Sequence, residues 1–188
     1  MRLWSFQPME VVRTIRRESI VRADWTRVAP HDRSAFELMV HEMEGRGILL
    51  AGHAPIWAWH SCHPSGGRPT PSSASSLLSL AQLEQGIFVM ELDVPEHRVL
   101  LSSYFGWNQV LDHYMDGAAW PPQWFGSIFL TQPRAVGDDI QACLPFLDPR
   151  WVRRIRRLKL FGLKTGRPRF RQAVRQFGGD WERKWRGK

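Results

Sequence analysis

The spacing of apolar positions changes several times along the chain, and each change marks an element. Residues 2–7 hold Leu3, Trp4 and Phe6 among polar neighbours, which predicts a short strand. Pro8 suits a first helical position, where its missing N–H costs nothing. Val11, Val12 and Ile15 then fall at helical spacing, so 8–18 is expected to be a helix with an arginine-rich outer face. Ile20 to Ala23 reads as a short extended piece. Phe36, Met39, Val40 and Met43 recur at i, i+3, i+4 and i+7. That pattern predicts a second helix, capped by Asp32 or Ser34 and ending near Gly45.

Ile48–Leu50 and Pro55–His60 read as extended. Residues 61–76 are rich in Ser, Pro and Gly and read as a surface loop, with a helical turn over 77–85. Ile87–Asp93 and Val99–Leu101 are β-rich. Trp107, Val110, Leu111 and Tyr114 predict a third helix over 104–115. Gly117, Pro121, Pro122 and Gly126 break the chain after it. Ser127–Thr131 and Ile140–Leu144 look like strands, and the alternation of Ile155, Leu158 and Leu160 supports another from Arg157. The expected architecture is therefore α+β: a compact mixed or antiparallel sheet of short strands with about three helices. No regular βαβ units or internal repeats are seen.

Composition agrees with a folded domain. The 188 residues are 43% hydrophobic and 23% charged, enough for a core without disulfides or a structural metal. No apolar run approaches the roughly 18 residues of a membrane span, so no transmembrane segment is expected. Met1–Pro8 lacks the apolar stretch of a secretory leader. The two cysteines, Cys62 and Cys143, are expected to be free thiols in a reducing cytoplasm.

The net charge of +8 is unevenly spread. Residues 150–188 carry 15 Lys and Arg against two acids, Asp180 and Glu182, a surplus of +13. Residues 1–149 carry 11 against 16 and are mildly acidic. Two units follow: a globular domain, 1–161, and a basic aromatic C-terminal arm, 162–188. Within the arm Phe170, Val174, Phe177, Trp181 and Trp185 form one helical stripe, broken by Gly178-Gly179 at a cost of about 2 kcal/mol. Arg167, Arg169, Arg171, Arg175, Arg183, Lys184 and Arg186 are the candidate nucleic-acid contacts of the arm. An acidic protein is the other partner such charge would attract.

Familiar catalytic motifs are missing. There is no P-loop, no G-x-G-x-x-G, no G-x-S-x-G and no H-E-x-x-H. His53, His60, Cys62 and His63 offer N and S donors, but their spacing matches no closed zinc site, and no metal is expected. Glu91 and Asp93 would share one side of a strand, best read as a solvated sheet face. Ten tryptophans are unusual for this length. Trp57 and Trp59 would face the same side of a strand, as core or as a stacking platform for a base or a nicotinamide.

Several segments together resemble the bacterial domain-of-unknown-function family 3841. They are Leu3–Gln7, Pro55–Trp59, Val99–Trp107 with Val110-Leu111, and Ile140–Pro145 followed by Trp151-Val152 and Ile155. The resemblance spans roughly 1–161 and implies a fold, not an activity. A strand opening directly into a helix is also similar to the first motif of ADP-ribosyltransferases. There a His or Arg on the first strand grips NAD, and a late strand carries a catalytic Glu. By that resemblance Ser5 or Gln7 stands in the first place and Gln141 in the second, as the catalytic candidate. Glutamine brings no charge to an oxocarbenium-like centre, although it can hold a ribose hydroxyl.

Two functional expectations follow. One is an atypical ADP-ribosyltransferase-like domain binding NAD or another nucleotide in a cleft lined by Trp4, Ser5, Gln7, Trp57, Trp59 and Gln141. It would act on an anionic target, as a toxin or phage-defence effector would. The other is a non-enzymatic module that binds nucleic acid, or an acidic partner, through the basic arm.

Overall fold

A computed structural model describes residues 1–62, 67–78, 83–84, 86–115, 128–130 and 139–158. Within them, strand β1 (Arg2–Pro8) runs into helix α1 (Met9–Arg16), and α2 (Arg33–Gly45) precedes β2 (Ile56–Ser61). Then follow α3 (Pro71–Leu77), β3 (Ile87–Asp93), β4 (Leu100–Ser103), α4 (Tyr104–Met115), β5 (Phe129–Leu130), β6 (Ile140–Leu144) and β7 (Val152–Arg157). The seven strands form one sheet in the order β5-β4-β6-β2-β1-β3-β7, and every neighbouring pair is antiparallel. The α+β expectation holds, with three longer helices where periodicity placed them and a shorter fourth, α3.

The sheet carries a core on each face, because successive strand residues point to opposite sides. Leu3, Ala58, Met90, Leu92, Leu101, Ala142 and Leu144 meet Val11, Val12 and Ile15 of α1 on one face. Leu100, Phe129 and Cys143 meet Ala35, Met39 and Met43 of α2 and Trp107 and Val110 of α4 on the other. Leu3, Met39, Met43, Met90, Leu92 and Leu144 are fully buried. Burying each such side chain contributes about 1.5–3 kcal/mol.

Several sequence expectations need correction. Pro8 is the last residue of β1, extended at φ −73°, ψ 166°, and α1 begins at Met9. Helix α1 stops at Arg16, and Glu18 takes a left-handed φ of 58° beyond it. Ile48–Leu50, read as extended, joins no strand of the sheet. It is the exit from α2, where Gly47 at φ 77° lets the Ile48 amide reach back to the Met43 carbonyl at 2.9 Å. Ile48 and Leu50 are buried there as core.

The Ser/Pro-rich stretch is not all loop. Thr70 accepts from the Ser73 amide at 3.2 Å while the Ser73 hydroxyl accepts from the Thr70 amide at 2.6 Å. This reciprocal cap, with Pro71 in the first turn, starts α3 inside the segment read as unstructured. The last strand also lies earlier than expected. A register shift opposite Glu91 and Leu92 breaks the alternation of β7, so its period-2 signal is lost in the sequence. The expected strand residues 159–161, the arm 162–188 and His63 lie outside the described residues.

Candidate functional site

The residues expected to line one cleft are divided between the two faces of the sheet. Trp4 pairs with Trp59, Trp59 with Gln141, and Gln141 with Ser102, so these four form one row across β1, β2, β6 and β4. Trp57 lies two residues from Trp59 and shares that face. Ser5 and Gln7 alternate with Trp4 and point to the α1 side, with Leu3. The expectation of a single cleft is corrected by this geometry. Trp4 and Ser5 are consecutive strand residues and cannot face one ligand from the same side.

On the first face the aromatics are packed. Trp57 meets Phe36 edge-on at 5.4 Å between ring centroids and Trp107 at 5.2 Å. Trp59, 7% exposed, takes Tyr104 edge-on at 5.2 Å. Such edge contacts add about 0.5–1.5 kcal/mol to area burial. Gln141 is 5% exposed on a strand buried along its whole length. Its Oε1 accepts from the Ser102 hydroxyl at 3.4 Å. A buried amide paired with a buried hydroxyl satisfies the sheet and offers little to a substrate.

On the opposite face a polar chain fills a seam. Strands β1 and β2 share a single register pair, Trp4 with Trp59. Beside it the Ser5 hydroxyl donates to the Trp57 carbonyl at 2.7 Å, and the Gln7 amide donates to the Ser5 hydroxyl at 2.8 Å. Ser5 is fully buried and Gln7 half-buried.

Among the described residues no three His, Cys, Asp or Glu come together; His63, the fourth member of the histidine and cysteine group, lies outside them. The Nδ1 of His60 is buried with no hydrogen-bond partner, and burial lowers the pKa of its imidazole. Burial pushes the Cys62 thiol up to about 12, with the Asp139 charge adding to it. Burial also pushes the Cys143 thiol well up. Neither cysteine is in a disulfide, and burial keeps both as thiols, poor nucleophiles and poor ligands.

The strongest concentration of charge lies on β7, at one edge of the sheet. In six residues it carries Arg153, Arg154, Arg156 and Arg157. Arg153 donates to Asp93 at 2.9 Å. Arg154 sits across from Glu91, whose carboxylate lies 3.5 Å from Arg2. Arg154, Arg156 and Arg157 make no ion pair among the described residues. These arginines were not singled out from the sequence, although they fall inside the basic surplus of residues 150–188. The signal that finds them is four arginines in six positions ahead of further basic chain. Of the pair expected on a solvated sheet face, Asp93 is exposed and Glu91 half-buried, as partners of Arg153 and Arg2.

The described molecule is thus an α+β domain on a seven-stranded antiparallel sheet with an arginine-rich edge. Residues 2–117 match the family model described as Domain of unknown function (DUF3841). The match covers more than half of the chain, and the chain belongs to that family. No curated protein and no solved structure matches it. No described helix is long and apolar enough to cross a membrane.

Proposed function

We propose that this chain is a nucleic-acid-binding module whose structured contact is the arginine edge of β7, continued by the basic sequence of residues 159–188. One observation carries the reading: Arg154, Arg156 and Arg157 stand on an edge strand without carboxylate partners among the described residues. Guanidinium groups suit phosphate oxygens in charge and in planar shape. A rigid strand holds them at a fixed spacing, and Arg167, Arg169, Arg171, Arg175, Arg183, Lys184 and Arg186 add charge downstream. An acidic protein is the rival partner. Phosphate contact predicts binding that weakens steeply and log-linearly with salt. Anisotropy of a labelled single-stranded oligonucleotide, titrated with the full chain at rising salt, tests this. No measurable binding at low salt rejects the reading.

A second reading is favoured by the β1–β2 seam. An ADP-ribosyltransferase-like use of NAD would place the cofactor beside half-buried Gln7, whose side-chain amide donates to Ser5 where the two strands share one pair. The buried, hydroxyl-paired Gln141 is poorly suited to a catalytic role in it. Melting of the full chain with and without millimolar NAD tests this second reading. Ligand at 100 times its dissociation constant adds about 2.7 kcal/mol.

A further inference from the structure

A second cationic cluster gathers on Phe146, beside the turn that leads into β7, and is built differently. The chain at Val21 pairs with Leu147 through two backbone bonds, Val21 amide to Leu147 carbonyl at 3.0 Å and the reverse at 2.8 Å. The next residues of that pairing, Arg22 and Phe146, are therefore cross-strand neighbours. The guanidinium carbon of Arg22 lies 5.0 Å from the Phe146 ring centroid. Arg98, at the end of the 3-10 turn Glu96–Arg98, places its own at 6.0 Å from the same centroid. Trp151 stacks on Phe146 at 4.9 Å and 22° between planes. The turn bearing Trp151 is fixed by buried Asp148, which accepts from the Arg150 amide at 2.9 Å.

Two cations thus share one aromatic ring on a braced support. Neither the Arg22 nor the Arg98 side chain makes a hydrogen bond or ion pair with the described residues, so their guanidinium donors are unspent. Asp148 is taken by Arg150, which holds both of its oxygens. Stacking on the ring orients the guanidinium planes while leaving their N–H edges available.

We infer that Arg22 and Arg98, converging on Phe146, form a binding site for a doubly charged phosphate group, whether free phosphate or the 5′-terminal phosphate of a nucleic acid. A dianion between the two arginines relieves their mutual repulsion and takes the unspent donors. Such a site is separate from the β7 edge, which would contact backbone phosphodiesters regardless of the strand's end.

The test uses the full chain and three probes: inorganic phosphate, and one oligonucleotide with either a 5′-phosphate or a 5′-hydroxyl. The expected result is about tenfold tighter binding of the 5′-phosphorylated strand, lost in Arg22→Gln with Arg98→Gln. A rise in melting temperature with inorganic phosphate, absent in that variant and without an end preference, also supports the site and assigns it to free phosphate. The single Arg22→Gln variant, changed at an exposed position, serves if the double variant does not fold. The inference is overturned if wild type shows neither response, or if the variants keep both. Binding of both oligonucleotides alike through β7, with no response to inorganic phosphate, would leave the proposed function standing while removing this site.

Discussion

The Gln7 side chain donates to the Ser5 hydroxyl at 2.8 Å, and both residues face away from Trp4. Ser5 passes the bond on to the Trp57 carbonyl across a seam where β1 and β2 share only one pair. A side chain thus supplies a donor where the backbone ladder lapses. Ser5→Ala should destabilise the protein by about 1–3 kcal/mol, since it strips a buried group of its partner. For a chain of this size that lowers the melting midpoint by roughly 2–10 °C. Gln7→Ala, at a half-buried position, should cost less. Thermal denaturation of the two variants checks the order.

The seam shows what was legible in the sequence and what was not. Helix α2 was readable because Phe36, Met39, Val40 and Met43 mark one face at a clean 3.6 period. Strands β1, β3 and β6 were readable as short β-rich runs. Helix α3 was missed because Ser and Pro were read as loop composition, although Thr70, Pro71 and Ser73 stand at capping positions. Strand β7 was misplaced because a bulge breaks its alternation. The division of the candidate cleft was legible in principle: Trp4 and Ser5 are adjacent, and a strand sends adjacent side chains apart. The order of strands was not, because pairings such as β4 with β6 depend on long-range packing.

Gly47 is the position where α2 must turn. Its φ of 77° is strained for a residue with a Cβ, and no neighbouring atom lies within 4 Å of the place a Cβ would take. Gly47→Ala should therefore cost about 1–2 kcal/mol from backbone conformation alone, without a steric clash. Chemical denaturation should show a lower midpoint with an unchanged slope.

Asp148 supplies the pH dependence. Its side-chain hydrogen bonds with Arg150 hold its carboxyl below the usual carboxylate value of 3.8, working against burial, which raises it. A lowered folded value means the unfolded chain binds the proton more readily. The stabilisation is thus complete above about pH 4 and is lost as pH falls through the lower folded value. Asp148→Asn keeps a capping oxygen but loses the charge that holds exposed Arg150, so it should be destabilised at neutral pH by about 0.2–1 kcal/mol. Its deficit against wild type should shrink below about pH 4. Melting curves across pH 2–7 check the convergence; a deficit independent of pH would contradict it.

The arginines of β7 have a competing explanation, since charged residues on an edge strand also discourage sheet-to-sheet aggregation. Replacing Arg154, Arg156 and Arg157 with Gln separates the two roles. A guard role predicts greater aggregation with nucleic-acid binding unchanged.

The most direct measurement is the salt dependence of single-stranded oligonucleotide binding by the full chain and by that triple variant. If the three arginines contact phosphates, the variant binds more weakly at low salt. The slope of log affinity against log salt should also become shallower by about 2, at about 0.7 per phosphate contact on a single strand. Equal affinity and equal slope in the two proteins would contradict the claim that the edge of β7 is a nucleic-acid contact.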